Sequence, residues 1–315
     1  MQLRVLWVFS GIVGALLFAG CSTSSKNVAA TSTNSWPCYN LSAEKVWQLD
    51  SPNKVRFDAS GLLLQKGKLL TVNDRGSERY EIKFANDVAN LVLLTNFFTE
   101  TQLAGFAKEK VGRYDCEGIA QDGQGRIYLC EEANRWILRF DPKTKKVERL
   151  PIDWSSVEKY FHPKDRNASF EGIAIGDGKL FLANERQEGR IIVLDLKTLE
   201  ILDDFTVCPT KTKMKDIHYS DLSWFDGALF AILRENRVIV KIDPKRHSIL
   251  AEYDFHEMEQ APELAYKVAY PTSTMEGLAV DKNYFWLVTD NNGWGRKKFP
   301  DDARPTLFKC RRPDK

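Results

Sequence analysis

The feature that most restricts what this chain can fold into is a repeat. One segment reads Phe170-Glu171-Gly172-Ile173-Ala174, then Gly176-Asp177-Gly178, then Leu180-Phe181-Leu182-Ala183-Asn184-Glu185. Residues 116–132 repeat it around a Gly123-Gln124-Gly125 turn, and residues 275–290 around Asp281-Lys282-Asn283. Weaker copies begin at Ser60-Gly61-Leu62 and Asp221-Leu222-Ser223. Each copy sets an apolar run, a Gly/Asp/Asn turn and a second apolar run, which is the signature of a β-hairpin. A third apolar run follows several copies, as in residues 136–142, 191–195 and 238–244. A unit of three or four strands cannot bury both faces alone. Copies recurring every 50 to 57 residues therefore predict an all-β chain folded as a β-propeller.

Counting favours five blades. The last copy lacks enough following sequence for a whole blade, and residues 44–57 at one end and 306–310 at the other supply strands that close the ring. Six blades is the alternative, with the N-terminal strands forming a blade of their own. Short helices are expected only in connections, at residues 153–160 and 258–267.

The acids within the repeat carry the functional expectation. Glu117/Glu131, Glu171/Glu185, Asp221/Glu235 and Glu276/Asp290 each stand fourteen apart with the turn midway, and Ser60 replaces the acid opposite Asp74. Residues equidistant from a hairpin turn face each other, and like charges so placed repel. Four such pairs call for cations, arginines, hydrogen bonds or protonation. If the first strand of each blade lines the axis, the acids crowd one mouth of the channel. They could also simply cap strand ends. Calcium suits such a set, because it takes six to eight oxygens in flexible geometry. Arg75, Arg186 and Arg234 lie beside the acids, either neutralising them or forming an anion site. No Gly-x-Ser-x-Gly elbow, phosphate loop or dinucleotide fingerprint is present, so the catalytic residues stay unassigned.

The Glu-Gly-Ile/Leu-Ala openings with acid-ending second strands resemble the SdiA-regulated and phytase-like (esterase-like) bacterial envelope propellers, and distantly the NHL-repeat propellers. The resemblance covers residues 57–308. It implies a bound calcium ion with Glu117, Glu171 and Glu276 as ligands and Glu131, Glu185, Glu235 and Asp290 as neighbours. The chain departs from the pattern at Ser60 and at residues 221–223.

The N-terminus sets the expected compartment. Residues 1–20 carry a short basic start and an apolar core that ends at Ala19-Gly20-Cys21, similar to a lipoprotein signal peptide. Cys21 is then the lipidated residue, residues 21–35 a polar tether and residues 36–315 the propeller. This places the protein in the bacterial envelope, membrane-anchored by lipid, on the outer membrane facing the periplasm. Disulfides are allowed there, and Cys38 with Cys310, near opposite ends of the folded part, is the first choice. With 45 basic and 43 acidic residues, no net field points to nucleic acid. Expected partners are a small anionic ligand or an envelope protein. The expected function is a calcium-binding, envelope-anchored binding or scaffold module. The alternative is a metal-dependent hydrolase of phosphoesters, esters or lactones.

Overall fold

The computed structural model describes residues 36–86, 88–110, 112–185, 189–210, 217–269 and 272–314. Cys21, the signal segment and the tether lie outside them. Two N-terminal strands, β1 (Cys38–Asn40) and β2 (Ala43–Asp50), precede five antiparallel meanders. The first meander is β3 (Ala59–Gln65), β4 (Lys68–Asn73), β5 (Arg79–Ala85) and β6 (Val88–Leu93). The second is β7 (Cys116–Gln121), β8 (Ile127–Glu131), β9 (Trp136–Phe140) and β10 (Val147–Arg149). The third is β11 (Phe170–Gly176), β12 (Lys179–Asn184), β13 (Arg190–Asp195) and β14 (Ile201–Phe205). The fourth is β15 (Tyr219–Phe225), β16 (Ala228–Leu233), β17 (Val238–Asp243) and β18 (Ser248–Asp254). In the last, β19 (Met275–Val280), β20 (Tyr284–Thr289) and β21 (Thr306–Arg311) take β2 as their outer strand, Val46 opposite Phe308. The N- and C-terminal strands thus close the ring, as expected from the ends of the sequence. Residues 55–57 make no strand, and β1 instead joins the fourth meander in parallel beside β18.

The tight turns follow from residue type. Asp177-Gly178 and Asp226-Gly227 hold positive φ at both positions, as a two-residue hairpin whose twist matches its strands requires. The second hairpin differs. It turns through the five residues 122–126, with Asp122 Oδ1 accepting from the N–H groups of Gln124 and Arg126 at 2.9 Å.

Five apolar clusters fill the five junctions between neighbouring meanders. Leu182 and Ile173 meet Tyr128 and Ile137 between the second and third, and Leu62 and Ile82 meet Leu307 and Val288 between the last and first. Burial on both faces of each sheet is why the strands read as nearly continuous apolar runs. Trp154, in the insert before β11, packs on Phe170 and Phe161. The helices expected in the connections shrink to a 3-10 turn at Glu158–Tyr160 and one α-turn at His256–Glu259.

The expected Cys38–Cys310 disulfide is not formed. Cys310 is fully buried on β21 with its sulfur 3.4 Å from Met258 Sδ, whereas Cys38 lies on the outer edge of a different sheet, its sulfur 3.8 Å from Glu252 Oε2.

Candidate functional site

The innermost strands β3, β7, β11, β15 and β19 each carry a register slip near their start. The slips leave Glu117, Glu171 and Glu276 as extra residues in β7, β11 and β19. A bulge of this kind removes a residue from the ladder and re-aims its side chain. The glycine that follows has a separate cause. A Cβ on Gly172 would stand 2.6 Å from Asp221 Cα, and one on Gly277 2.9 Å from the carbonyl carbon of Gly61. The repeated Glu-Gly therefore records two demands: a side chain turned out of the ladder, then backbone meeting backbone around the axis.

The fourth meander breaks the rule instructively. Its extra residue is Ser220, so Asp221 stands where the others have glycine. Asp221 Oδ2 accepts from the N–H of Leu278 at 2.7 Å and of Leu62 at 3.3 Å, and Oδ1 from Leu222 N–H at 2.7 Å. One fully buried carboxylate thus ties three meanders together and is spent on backbone.

A second tier of side chains follows the ends of the second strands. A shared backbone bond identifies it: the N–H groups of Asp74, Glu132, Glu185, Arg234 and Asp290 donate to the carbonyls of Asp58, Asp115, Ser169, His218 and Thr274, at 2.7–3.1 Å. Glu132, not Glu131, is therefore the counterpart of Glu185 and Asp290, and Arg234, not Glu235, fills the tier in the fourth meander. The five-residue loop of the second hairpin lengthens the acid-to-acid spacing from fourteen to fifteen. Fixed spacing thus pointed to the wrong neighbour. Glu131 is occupied as a turn cap, taking Asn134 N–H at 2.9 Å and Asp115 N–H at 3.2 Å. Glu235 pairs with His218 Nδ1 at 3.0 Å.

The two tiers, together with Asp115, bring six carboxyls into two groups. Asp74, Asp115 and Glu117 present oxygens all within 4.8 Å of one another, and Glu132, Glu171 and Glu185 do the same. Glu117 and Glu171 are each pushed well above the ordinary carboxylate range, first by burial, then by neighbouring acids: Glu132, Asp74 and Asp115 for Glu117, and Glu185, Glu132 and Glu117 for Glu171. Asp74 rises to about 8 by burial and the charges of Asp290, Asp58 and Asp115. Asp290 rises to about 7 by burial and by Asp58. Glu276 also reaches about 7 through burial, although Arg234 Nη1 lies 2.7 Å away and opposes the rise.

The cations answer part of this charge. Arg234 binds Glu276 and the carbonyl of Ser273, and the surrounding carboxylates hold its pKa up against burial. His218 Nε2 lies 2.5 Å from Glu185. Burial works against a charged ring there, but hydrogen bonds to Glu185 and Glu235 outweigh it and raise its pKa. Arg75 stands 3.5 Å and Arg56 2.7 Å from Asp58. Arg75 and Arg234 are thus engaged with carboxylates, and Arg186 lies outside the described residues. His218, Asp115 and Glu132 were not singled out beforehand. Only the hydrogen-bond register brings them to the mouth.

Such a donor set fits a hard divalent cation. It is all carboxylate oxygen apart from an imidazole already flanked by two acids, and Asp74 Oδ1 and Glu276 Oε2 are buried with no hydrogen-bond donor among the described residues. Carboxylates with unmet acceptor capacity suit calcium, magnesium or manganese and not the thiophilic metals.

A family model described as phytase-like, esterase-like activity of phytase, matches residues 58–293. No curated protein matches the sequence. Among solved structures, glutaminyl cyclase from Myxococcus xanthus superposes with a TM-score of 0.59 at 13% identity, covering 88% of this chain and 97% of its own. That likeness shows the β-propeller fold. Virginiamycin B lyase from Staphylococcus aureus aligns at 12% identity over 85% of this chain and 99% of its own, with a TM-score of 0.46.

Proposed function

Since this chain belongs to the phytase-like family, we propose that it is a divalent-cation-dependent hydrolase of phosphate or carboxylic esters, working at the acid-lined channel mouth. One observation carries the reading: two groups of three carboxyls, one wholly buried and one half-buried around Glu117, stand with buried acceptor oxygens that have no donor among the described residues. Asp74, Asp115 and Glu117 would hold a cation, as would Glu132, Glu171 and Glu185. A bound cation supplies charge neutralisation and polarisation of an ester oxygen. The chain's own groups do the rest. Glu276 and Asp290, each with a pKa of about 7 and outside the two cation groups, exchange protons near neutrality, where general acid–base groups are effective. Arg234 keeps Glu276 in place, and His218 orients Glu185 from behind.

The test is hydrolysis of 4-nitrophenyl phosphate and 4-nitrophenyl acetate by chelated protein, with calcium, magnesium or manganese restored. Rates should return with metal and fall at least about 100-fold in Glu171→Gln, the scale of losing an electrostatic stabiliser. Rates equal to buffer under every condition would remove the hydrolase reading. The calcium-bound scaffold would then remain, since it uses the same carboxyls without turnover. We also propose the envelope location: Cys21→Ala should move the protein from the membrane to the soluble fraction, and an unchanged distribution would refute lipid anchoring.

A further inference from the structure

A cleft of about 1250 Å³ opens between residues 49–57 and the segment 293–305. The loop that forms one wall is held in an uncommon backbone state: Asn53 and Lys54 both take positive φ, at 59° and 55°. Non-glycine residues pay for that conformation, and such strain concentrates where a loop must present particular groups. What this loop presents is Val55, 64% exposed, while Phe299, 47% exposed, lies in the opposite wall. Arg56 joins the cleft to the channel mouth. Its guanidinium reaches Asp58 at 2.7 and 2.9 Å and Asn292 at 3.5 Å, and a Cβ on Gly293 would stand 2.9 Å from its Nε. Asn292 in turn donates to Asp290.

The charges of the cleft limit what it can take. Arg304 is bound by Asp50 and Asp302, Lys298 by Glu263 and Arg56 by Asp58. Among the described residues, Lys54 is the cleft cation that has no carboxylate partner, and Asp301 adds a negative charge to the opposite wall. A polyanion would find its counter-charges already spent. An apolar group would find Val55 exposed and Phe299 half-exposed, the Arg296 guanidinium lying over its ring 4.6 Å from the centroid.

We propose that this cleft receives the apolar, aromatic-sized organic part of a singly phosphorylated or carboxylic ester, with the ester group held past Arg56 at the acids. The proposal rests on the hydrolase reading and fixes its substrate class as a monoester with an apolar group rather than a polyphosphorylated polyol.

The test is calorimetric binding of phenylphosphonate and, separately, inositol hexakisphosphate to the full chain with calcium present. Wild type is compared with Val55→Lys and Phe299→Lys, both at exposed positions that leave the fold intact. Phenylphosphonate should bind wild type and weaken about tenfold in each variant, the scale of one lost apolar contact surface. Inositol hexakisphosphate should bind no better than phenylphosphonate. Equal phenylphosphonate affinity in wild type and both variants, or a preference for the hexakisphosphate that the variants leave unchanged, would overturn the cleft assignment. Because binding needs no turnover, the cleft stands if the variants lose binding while wild type hydrolyses nothing. That same result would sink the hydrolase reading.

Discussion

Removing the cation should make the fold sensitive to alkali, and restoring it should cancel that sensitivity. The perturbation is chelation followed by a pH change from 5 to 8. In the folded protein Glu276 titrates at about 7, against 4.5 for an ordinary glutamate, and burial is the main cause. Between those values the folded state binds more protons than the unfolded chain, so stability falls as pH rises through the window and levels off above it. A rise from 4.5 to about 7 corresponds to about 3 kcal/mol. Asp74 and Asp290 share the same field and push in the same direction, extending the window to about pH 8. For a domain of this size, each kcal/mol moves Tm by about 2 °C, so chelated protein should melt about 6 °C lower at pH 8 than at pH 5. Calcium at about 100 times its Kd returns about 2.7 kcal/mol at pH 8, and much less at pH 5, where protons compete for the same oxygens. Differential scanning calorimetry with chelator or calcium at the two pH values reads this directly. A chelated protein whose Tm is flat or rises from pH 5 to 8 would refute the argument, as would a calcium shift no larger at pH 8 than at pH 5.

Three further outcomes follow from the same geometry. Asp221→Ala strands three buried N–H groups and should cost about 2–4 kcal/mol in urea denaturation with or without calcium, whereas Asp221→Asn keeps an acceptor and should cost less. Equal losses for the two variants would count against the backbone-tying role. Gly172→Ala forces a Cβ to 2.6 Å from Asp221 Cα and should destabilise by at least about 1–3 kcal/mol, so a neutral result by the same assay would contradict the close approach. Arg234→Gln leaves Glu276 buried without its cation. It should lower stability by about 3–5 kcal/mol at pH 8 and markedly less at pH 5, and a loss independent of pH would show that the guanidinium acts by packing alone.

Much of this was legible in the repeat. Paired apolar runs around Asp-Gly turns specify hairpins, and hairpins buried on both faces specify stacked meanders closed into a ring. Glu171, Glu185 and Glu276 could be placed near the mouth because identical copies in a rotationally repeated fold put identical residues at equivalent sites. Glu131 and Glu235 failed for a local reason. Spacing counts residues along the chain, whereas position in a sheet is set by the hydrogen-bond ladder, and one additional loop residue or one bulge shifts the ladder against the count. Cys38 and Cys310 failed for a related reason, since nearness of chain ends says nothing about which sheet each strand joins.

What the sequence by itself determined is the architecture, because apolar runs and turn chemistry are local properties written residue by residue. Only the tertiary structure decided which carboxyls share a field, that Asp221 is consumed by backbone amides of three meanders, that Arg234 takes Glu276 as its partner, and that His218 stands among the acids. Those facts depend on distances between side chains more than a hundred residues apart in some cases, and electrostatic coupling follows such distances, not position along the chain.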